Sequence, residues 1–367
     1  MAAAWEPAAT EAMFAPTLGI RTVTAALRDL DHEKPAVRVA AAQDLKHAAS
    51  EHRPEAVAGL ARALSDAHPW VRQAAAETLA DMRATEVLDV MLEVAEYDTD
   101  DDVRQHAWMA IGAMGSAAAL PALARALEDD APPVRFQALI AFARCAPRPQ
   151  AQAALLAATH DEDALVCHIA LRMAEELGDE TLPVEAAMLE RCGELSAHAD
   201  AIVRIAAAII RARAGRADGA ATLIAVARGE LVTSQREDEA AAIELCGELG
   251  LREAIEPLRR RSRGGAFGLG GDPCAWQCRV ALARLGDEAS QRWILKELAA
   301  WNRDRRTLGV AAAGRARLAQ ARPQLEAMRG DPERADPDAV DAALRELDAL
   351  ALPMAARSLA RGPHRKR

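Results

Sequence analysis

Apolar residues recur along most of this 367-residue chain at the spacing of one helix face. In PWVRQAAAETLADM (residues 69–82), Val71, Ala75, Leu79 and Met82 follow one another at intervals of three or four residues, which is the period of an α-helix. The apolar residues are mostly small and aliphatic, and aromatic residues make up only 3% of the chain. Closely packed helices suit this composition better than a β-sandwich, which favours Val, Ile, Tyr and Phe. We therefore predict an all-α fold.

The helical segments form a repeat. An aspartate lies five residues before a valine in DAHPWV, DTDDDV, DDAPPV and DEDALV, and three of these valines are followed by arginine. With the Val-Arg pairs at 37–38 and 203–204, successive valines are 31 to 37 residues apart; they are Val37, Val71, Val103, Val134, Val166 and Val203. Gly115, Gly178 and Gly215 each stand twelve residues after one of them, where a helix of three turns would end. Each period therefore holds two short helices joined by a turn.

This D…VR…A…L…G pattern resembles the short bacterial HEAT-like repeat of phycobilisome-lyase-like repeat proteins. The resemblance covers about residues 18–330 and is strongest over residues 30–215. It implies an α-solenoid, a right-handed superhelix of about ten stacked helix pairs with a concave groove. One such pair cannot bury its apolar face alone, so the array should fold as one cooperative object. The tetratricopeptide repeat has a similar period, but its signature is absent from the sequence.

The sequence divides into an N-terminal extension (1–17), the repeat array (18–330), C-terminal capping helices (331–356) and a basic tail (357–367). The array is acidic over residues 18–250 and basic over residues 251–330, where a glycine-rich loop lies at 261–273. No run of about 18 apolar residues is present, so we predict no transmembrane span. Glu6 and Glu11 stand where a signal peptide would carry basic residues, so we expect a cytoplasmic protein.

One segment departs from the repeat, RRRSRGGAFGLGGDPCAWQCR at residues 259–279. By repeat count it contains the turn between the two helices of one repeat, lengthened by about ten residues relative to the early turns. A Walker phosphate loop needs Gly-Lys, which the segment lacks, and the dinucleotide fingerprint needs glycine where Pro273 stands. Neither motif would follow a strand in an all-helical chain. We interpret the segment as an inter-helical insertion.

The sequence also lacks the residues, at the required spacing, of known metal-binding and catalytic motifs. Cys274 and Cys278 have no second cysteine pair or nearby histidine to complete a zinc site, so we predict packed thiols. The sequence DTDDD (98–102) imitates the start of a calcium loop, but Val103 replaces its glycine and Met109 its glutamate. The motifs HExxH, GxSxG and CxxC do not occur. We expect no metal, no cofactor and no enzymatic activity.

The arginines of the repeat are predicted to be structural. In HEAT-like arrays the arginine after the valine typically bonds the turn aspartate of a neighbouring repeat, so the resemblance implies a ladder of ion pairs. The residues concerned are Arg38, Arg72, Arg104, Arg135 and Arg204.

Charge is distributed unevenly along the chain. Residues 1–250 contain 22 basic and 40 acidic residues, a net charge of −18, whereas residues 251–330 contain 16 and 8, a net charge of +8. Arginine beside tryptophan is typical of interface hot spots and of single-stranded nucleic-acid platforms, and guanidinium groups bind carboxylates and phosphates bidentately. The partner-binding candidates in this block are Arg259, Arg260, Arg261, Arg263, Trp276, Trp293, Trp301, Arg305 and Arg306.

We therefore predict a scaffold or adaptor that binds an acidic or phosphorylated partner protein, without membrane contact. A nucleic-acid binder similar to the DNA-alkylation-repeat glycosylases is an alternative, although the acidic remainder of the chain would repel phosphates. An enzyme or enzyme partner of the phycobilin lyase kind is another, supported only by the repeat type. The basic block could also pair with the acidic part of a second copy.

Overall fold

The computed structural model describes residues 21–178, 184–263 and 272–351. The predicted extension (1–17) and basic tail (357–367) lie outside these residues, as do residues 264–271 of the predicted glycine-rich loop. The described residues form twenty α-helices and no strand, so the all-α prediction is confirmed. The chain divides into two compact units, residues 1–151 and 152–367.

The helices follow one another in pairs, and we call the odd-numbered member of each pair the first helix and the even-numbered member the second helix. Unit 1 contains α1 (Val23–Asp29), α2 (Pro35–Asp44), α3 (Arg53–Ala63), α4 (Pro69–Asp81), α5 (Leu88–Tyr97), α6 (Asp101–Met114), α7 (Leu120–Ala126) and α8 (Pro132–Cys145). The boundary between the units falls within α9 (Arg148–Ala158). Unit 2 contains α10 (Ala164–Leu177), α11 (Ala186–Glu194), α12 (Ala201–Arg213), α13 (Ala220–Arg228), α14 (Arg236–Glu248), α15 (Ile255–Ser262), α16 (Ala275–Arg284), α17 (Glu288–Leu298), α18 (Arg303–Arg315), α19 (Arg322–Met328) and α20 (Pro337–Ala351).

The second helices begin and end at residues that the repeat supplies. The Asp100 carboxylate accepts a hydrogen bond from the backbone N–H of Val103 at 3.1 Å and caps α6, while Pro69 and Pro132 open α4 and α8. Gly115 ends α6 in the left-handed conformation, with φ of 68°, as its spacing predicted. Gly178 differs, because it follows α10 in an extended conformation with φ of −75°.

Successive second helices pack closely on one another through small residues. In unit 1, α4 contacts α2 and α6, and α6 contacts α8. A Cβ atom on Gly112 of α6 would lie only 2.8 Å from the Cβ of Ala141 in α8. In unit 2 a Cβ on Gly247 of α14 would lie 2.8 Å from the Cα of Ala281 in α16. The richness in alanine and glycine is therefore what allows these helix backbones to approach.

An arginine–aspartate ladder joins the turns of unit 1, as the resemblance implied. Arg38 pairs with Asp66 at 2.7 Å, Arg72 with Asp98 at 2.6 Å, and Arg104 with Asp129 at 3.1 Å. Each arginine also donates to carbonyls of its own turn, and each aspartate also accepts a backbone N–H of its own turn. The turns between first and second helices consequently lie along one edge of the unit, which we call the ladder edge.

The ladder contacts hold charged groups in partly buried positions. Burial alone would raise the pKa of the Asp98 carboxyl, but hydrogen bonds from Arg72 and from the backbone N–H of Asp100 outweigh burial and hold this pKa below its usual value. In unit 2 the ladder is interrupted. Arg204 donates to the carbonyls of His198 and Ala199, yet no carboxylate among the described residues accepts from it.

Where a second helix lacks the ladder arginine, an arginine of a first helix bonds the neighbouring groups instead. Cys167 occupies the ladder position in α10, and Arg191 of α11 donates to the carbonyl and hydroxyl oxygens of Thr159 instead. Glu239 occupies that position in α14, and Arg261 of α15 pairs with it at 2.5 Å while donating to the carbonyl of Val226 at 2.9 Å. Arg261 thus belongs to the framework of unit 2.

We expect the ladder of unit 1 to contribute measurably to the free energy of unfolding. We expect Arg72→Ala to lower the free energy of unfolding by about 2 kcal/mol, because it leaves the buried Asp98 carboxylate without its charged partner. The pair of Arg329 with Asp341, in which both side chains are exposed, provides the control, and Arg329→Ala should change stability by less than about 0.5 kcal/mol. Urea unfolding of both variants checks this, and equal losses would contradict a structural role of the ladder.

Candidate functional site

The exposed part of the predicted Arg/Trp patch lies around the N-terminus of α18. Trp301, in the turn between α17 and α18, is 87% exposed, and Leu308 of α18 is 56% exposed. Arg303 and Arg305 are exposed in the first turn of the same helix; Arg303 donates to the carbonyl of Pro332, and Arg305 pairs with Glu297 at 2.6 Å. We call Trp301, Arg303, Arg305 and Leu308 the Trp301 surface.

Two further predicted residues lie at the end of the preceding first helix. Arg260 and Arg263 stand at the C-terminus of α15, are exposed, and form no ion pair with any residue that the structure describes. The turn that follows α15 and the turn that contains Trp301 are corresponding turns of consecutive repeats. Arg260 and Arg263 therefore belong to the same type of edge as the Trp301 surface, one repeat earlier.

Two predicted contact residues instead bind within the chain. The Arg261 side chain is only 15% exposed and pairs with Asp272 at 2.7 Å, which joins the two ends of the glycine-rich loop. Burial alone would lower the pKa of Arg261, but its hydrogen bonds to Asp272 and Glu239 outweigh burial and raise it. Arg306 donates to the backbone carbonyls of two successive turns; the acceptors are Ala300, Trp301, Glu333 and Arg334.

The remaining candidates are only partly exposed. Trp276 and Trp293 are half-buried and pack against the core formed by α16 to α20. Arg315 lies 5.3 Å from the ring centre of Trp276, and Arg279 lies 4.5 Å from that of Trp293, which are cation–π distances. Arg259 forms ion pairs with Asp287 at 2.7 Å and with Glu256 at 2.6 Å. The structure therefore does not bring the nine predicted residues together on one exposed surface.

A second polar region, which sequence reasoning missed, lies on the second helices of unit 2. His168 of α10 contacts Asp238 of α14 at 2.6 Å, and both residues are buried. Arg172 of α10 lies 3.5 Å from the same carboxylate. These contacts join helices that are two repeats apart, on either side of α12, and nine residues of α12 are buried. We call this side of α10, α12, α14, α16 and α18 the inner face.

The inner face contains a cavity of about 270 Å³ between four second helices. Arg315 of α18 pairs with Glu244 of α14 at 2.9 Å, again across one intervening second helix. Burial raises the pKa of Glu244, and the nearby Arg315 only partly offsets this effect. The cavity is lined by Arg213, Glu237, Ala240, Ala241, Glu244, Leu245, Glu248, Gln277 and Arg315.

A signal for this face does exist in the repeat. Four successive second helices of unit 2 carry a charged residue two or three positions before their terminal glycine, namely Glu175, Arg213, Glu248 and Arg284. Glu175 pairs with Arg213, and Glu248 with Arg284 at 3.3 Å. Aligning the repeats on their glycines would have placed these charges side by side, whereas aligning them on Val-Arg directs attention to the ladder edge.

The described residues contain no group of three or more His, Cys, Asp and Glu side chains placed to hold a metal ion. Five of the six cysteines are buried, and Cys145 is partly exposed. Burial raises the pKa of Cys274 to about 11 and that of Cys278 to about 12. Such thiols are protonated and unreactive near neutral pH.

Comparison with known proteins matches the N-terminal part of this chain to a family of repeats. The family model for HEAT repeats matches residues 20–110 and 92–175. The solved structure of YibA from Escherichia coli is 17% identical, with a TM-score of 0.51, over 72% of this chain and 92% of that one. The complex of CpcE and CpcF of phycocyanin lyase from Nostoc sp. PCC7120 is 18% identical, with a TM-score of 0.40, over 68% and 97%. A comparison with curated proteins finds no match.

The residues that the HEAT-repeat model matches are thus HEAT-like helix pairs, and the predicted HEAT-like repeats and α-solenoid fold are confirmed. The likeness to YibA concerns the fold alone, because identity is low. None of the described helices combines the length and apolarity that crossing a bilayer requires.

The rate at which the thiols are modified tests directly whether the cysteine side chains are buried. In the native protein we expect a thiol reagent to modify about one cysteine per chain quickly, since only Cys145 is partly exposed. Cys145→Ser should remove this fast phase, whereas Cys278→Ser should leave it unchanged. Fast modification of two or more thiols in the native state would contradict the packed arrangement.

Proposed function

We propose that this protein is a non-enzymatic scaffold that binds a partner protein through the Trp301 surface. The exposure of Trp301 is the observation that carries the proposal. Its side chain is 87% exposed in a chain with only six tryptophans, one of which, Trp108, is fully buried. An exposed indole contributes a large apolar area on association, and tryptophan and arginine are the residues most enriched in interface hot spots.

The neighbouring side chains support an interface at this position. Leu308 adds a second exposed apolar group, and Arg305 lies three residues before it on α18, so that the two are neighbours on the helix surface. The aliphatic stem of Arg305 can cover apolar surface of a partner while its guanidinium remains hydrated or pairs with a carboxylate. A small apolar centre with a charged rim is the usual anatomy of a protein interface.

The chemistry of the edge favours an acidic or phosphorylated partner. Arg260 and Arg263 have no carboxylate partner among the described residues. Their guanidinium groups are therefore available to pair with a carboxylate of another molecule. Phosphate and carboxylate groups both match the guanidinium fork. Nucleic acid is disfavoured, because residues 1–250 carry a net charge of −18.

The non-enzymatic part of the proposal is supported by the state of the polar groups. The charged side chains of the inner face mostly form ion pairs with one another, including Arg315 with Glu244 and Arg284 with Glu248. Burial raises the pKa of the buried thiols, which is the opposite of what a cysteine nucleophile requires.

Trp70 offers a matched control for the proposed interface. It is the second residue of α4, in unit 1, and is 65% exposed, and Arg72, the arginine nearest to it in the sequence, is paired with Asp98. In affinity capture from the native organism after nuclease treatment, Trp301→Ala should reduce recovery of a stoichiometric partner at least about tenfold, the usual effect of truncating a hot spot. Trp70→Ala should recover the same partner as the wild type.

The same affinity capture tests whether the charges of Arg260 and Arg263 contribute to binding of the partner. Arg260→Glu with Arg263→Glu should weaken the interaction and reduce its dependence on salt, because two attractive charges become repulsive. Identical recovery from wild type and Trp301→Ala would contradict the proposal. Recovery that depends on intact nucleic acid would favour the nucleic-acid alternative.

A further inference from the structure

One rung of the arginine–aspartate ladder is incomplete in unit 2, at Arg204 of α12. The Nη1 atom of Arg204 donates to the carbonyls of His198 and Ala199, at 2.5 and 2.8 Å. Arg38 bonds the carbonyls six and five residues before it in the same way, and its Nε and Nη2 then donate to the two oxygens of Asp66, each at 2.7 Å. The shared bonds of Nη1 therefore direct Nε and Nη2 of Arg204 toward the next turn, where unit 1 has a carboxylate.

Thr233 occupies the position of the missing aspartate. It lies three residues before the first residue of α14, as Asp66, Asp98 and Asp129 do before α4, α6 and α8. Its hydroxyl oxygen accepts the backbone N–H of Gln235 at 3.0 Å, and the three aspartates likewise accept the N–H two residues later. Threonine carries no charge, and its hydroxyl lies one bond closer to the main chain than a carboxylate oxygen does. The rung thus lacks the acceptor for which Arg204 is oriented.

The two remaining donors of Arg204 are free. No described group accepts a hydrogen bond from its Nε or Nη2, and neither atom is buried, so both can be reached from solvent. Glu230, the carboxylate nearest to Thr233 in the sequence, lies 3.8 Å from Arg228 instead. Two parallel N–H groups of a guanidinium match the two oxygens of one carboxylate.

The same turn offers an apolar contact. Val232, next to Thr233, is 70% exposed, while Leu231 packs against the core formed by α12 to α16. An exposed aliphatic group beside a charged one suits a side chain that is presented by a protein, because the segment around its carboxylate can cover the valine. An inorganic anion would leave Val232 in water.

We propose that the Arg204 rung, formed by Arg204 and Thr233, binds the carboxylate of an aspartate or glutamate side chain of a partner protein. Carboxylates fill the corresponding rungs at Arg38, Arg72 and Arg104, so the partner would complete the ladder from outside the chain. This inference goes beyond the proposed function and rests on it only for the source of the carboxylate. It adds a second contact, in the turn between α13 and α14, that also favours an acidic partner.

Thr233→Asp tests whether a carboxylate fits the rung. The introduced carboxylate can bond Arg204 as Asp66 bonds Arg38, so the midpoint of thermal unfolding should rise by about 2–4 °C. This rise should vanish in the presence of Arg204→Ala, because it depends on the guanidinium. Ser234→Asp is the matched control, since Ser234 is the exposed next residue, and its effect should be the same with or without Arg204→Ala. No rise, or an equal rise in both backgrounds, would overturn the inference.

Binding of an external carboxylate is tested with the full chain and short peptides. The probes are acetyl-Gly-Leu-X-Leu-Gly-amide peptides in which X is aspartate, asparagine or phosphoserine, and the ¹H–¹⁵N resonances of the arginine Nε groups are followed by NMR. The resonance of Arg204 is assigned by its loss in Arg204→Lys. We expect it to shift saturably with the aspartate peptide and at least about fivefold less with the asparagine peptide, which lacks the charge.

The outcomes of the titration are distinct. Thr233→Asp should abolish the shift, because its own carboxylate fills the rung. No shift in the wild type, or equal shifts with the aspartate and asparagine peptides, would overturn the inference. Tighter binding of the phosphoserine peptide would overturn the assignment of the ligand as a carboxylate and indicate a phosphoryl group.

Failure of this inference is distinguishable from failure of the proposed function. The Arg204 resonance of Trp301→Ala should respond to the aspartate peptide as that of the wild type does, because Trp301 lies in a different turn. A saturable shift together with unchanged partner capture by Trp301→Ala would refute the proposed function and leave the rung assignment intact. Loss of capture by Trp301→Ala without a shift of the Arg204 resonance would have the opposite meaning.

Discussion

The close approach of successive second helices is the constraint on which the rest of this structure depends. Glycine and alanine at the contacts, such as Gly112 against Ala141 and Gly247 against Ala281, leave no room for a further methyl group. At such distances the turns at the end of each pair also come within reach of one another. The ladder arginine of one repeat can then bond its own turn and the aspartate of the next turn simultaneously.

The same constraint decides where large side chains are found. Because the contacts between second helices use small residues, the long charged side chains of these helices lie at the edges and on the inner face. Trp301 lies in a turn, while Arg172, Arg213 and Arg315 extend over the inner face of unit 2 and reach carboxylates of other second helices. The proposed interface and the inner-face cavity thus both follow from a framework built on alanine and glycine.

The repeat, its two helices and the ladder could be predicted from the sequence, because each depends on residues at a fixed spacing along the chain. The groups that each individual arginine contacts could not be predicted from the sequence. Arg261 and Arg306 belong to an arginine-rich stretch, but one closes a loop through Asp272 and the other holds two turns through backbone carbonyls. Only the three-dimensional position of the acceptors distinguishes them from Arg260 and Arg263.

Charge counting along the sequence was limited for a related reason. The basic block at residues 251–330 is partly neutralised by acids on either side of it, through pairs such as Arg261 with Glu239, Arg315 with Glu244 and Arg329 with Asp341. The net charge of a segment therefore overstates the charge that it offers to a partner. Among the described residues, Arg260 and Arg263 are examples of arginines in this block that keep no carboxylate partner.

Hydrogen–deuterium exchange of the chain alone and in complex with its captured partner tests the central claim most directly. The account predicts slower exchange on binding in the peptide that covers residues 298–308, with little change around Trp70 and the first turn of α4. Unchanged exchange over residues 298–308, with protection only elsewhere in the chain, would contradict the assignment of the Trp301 surface as the docking site.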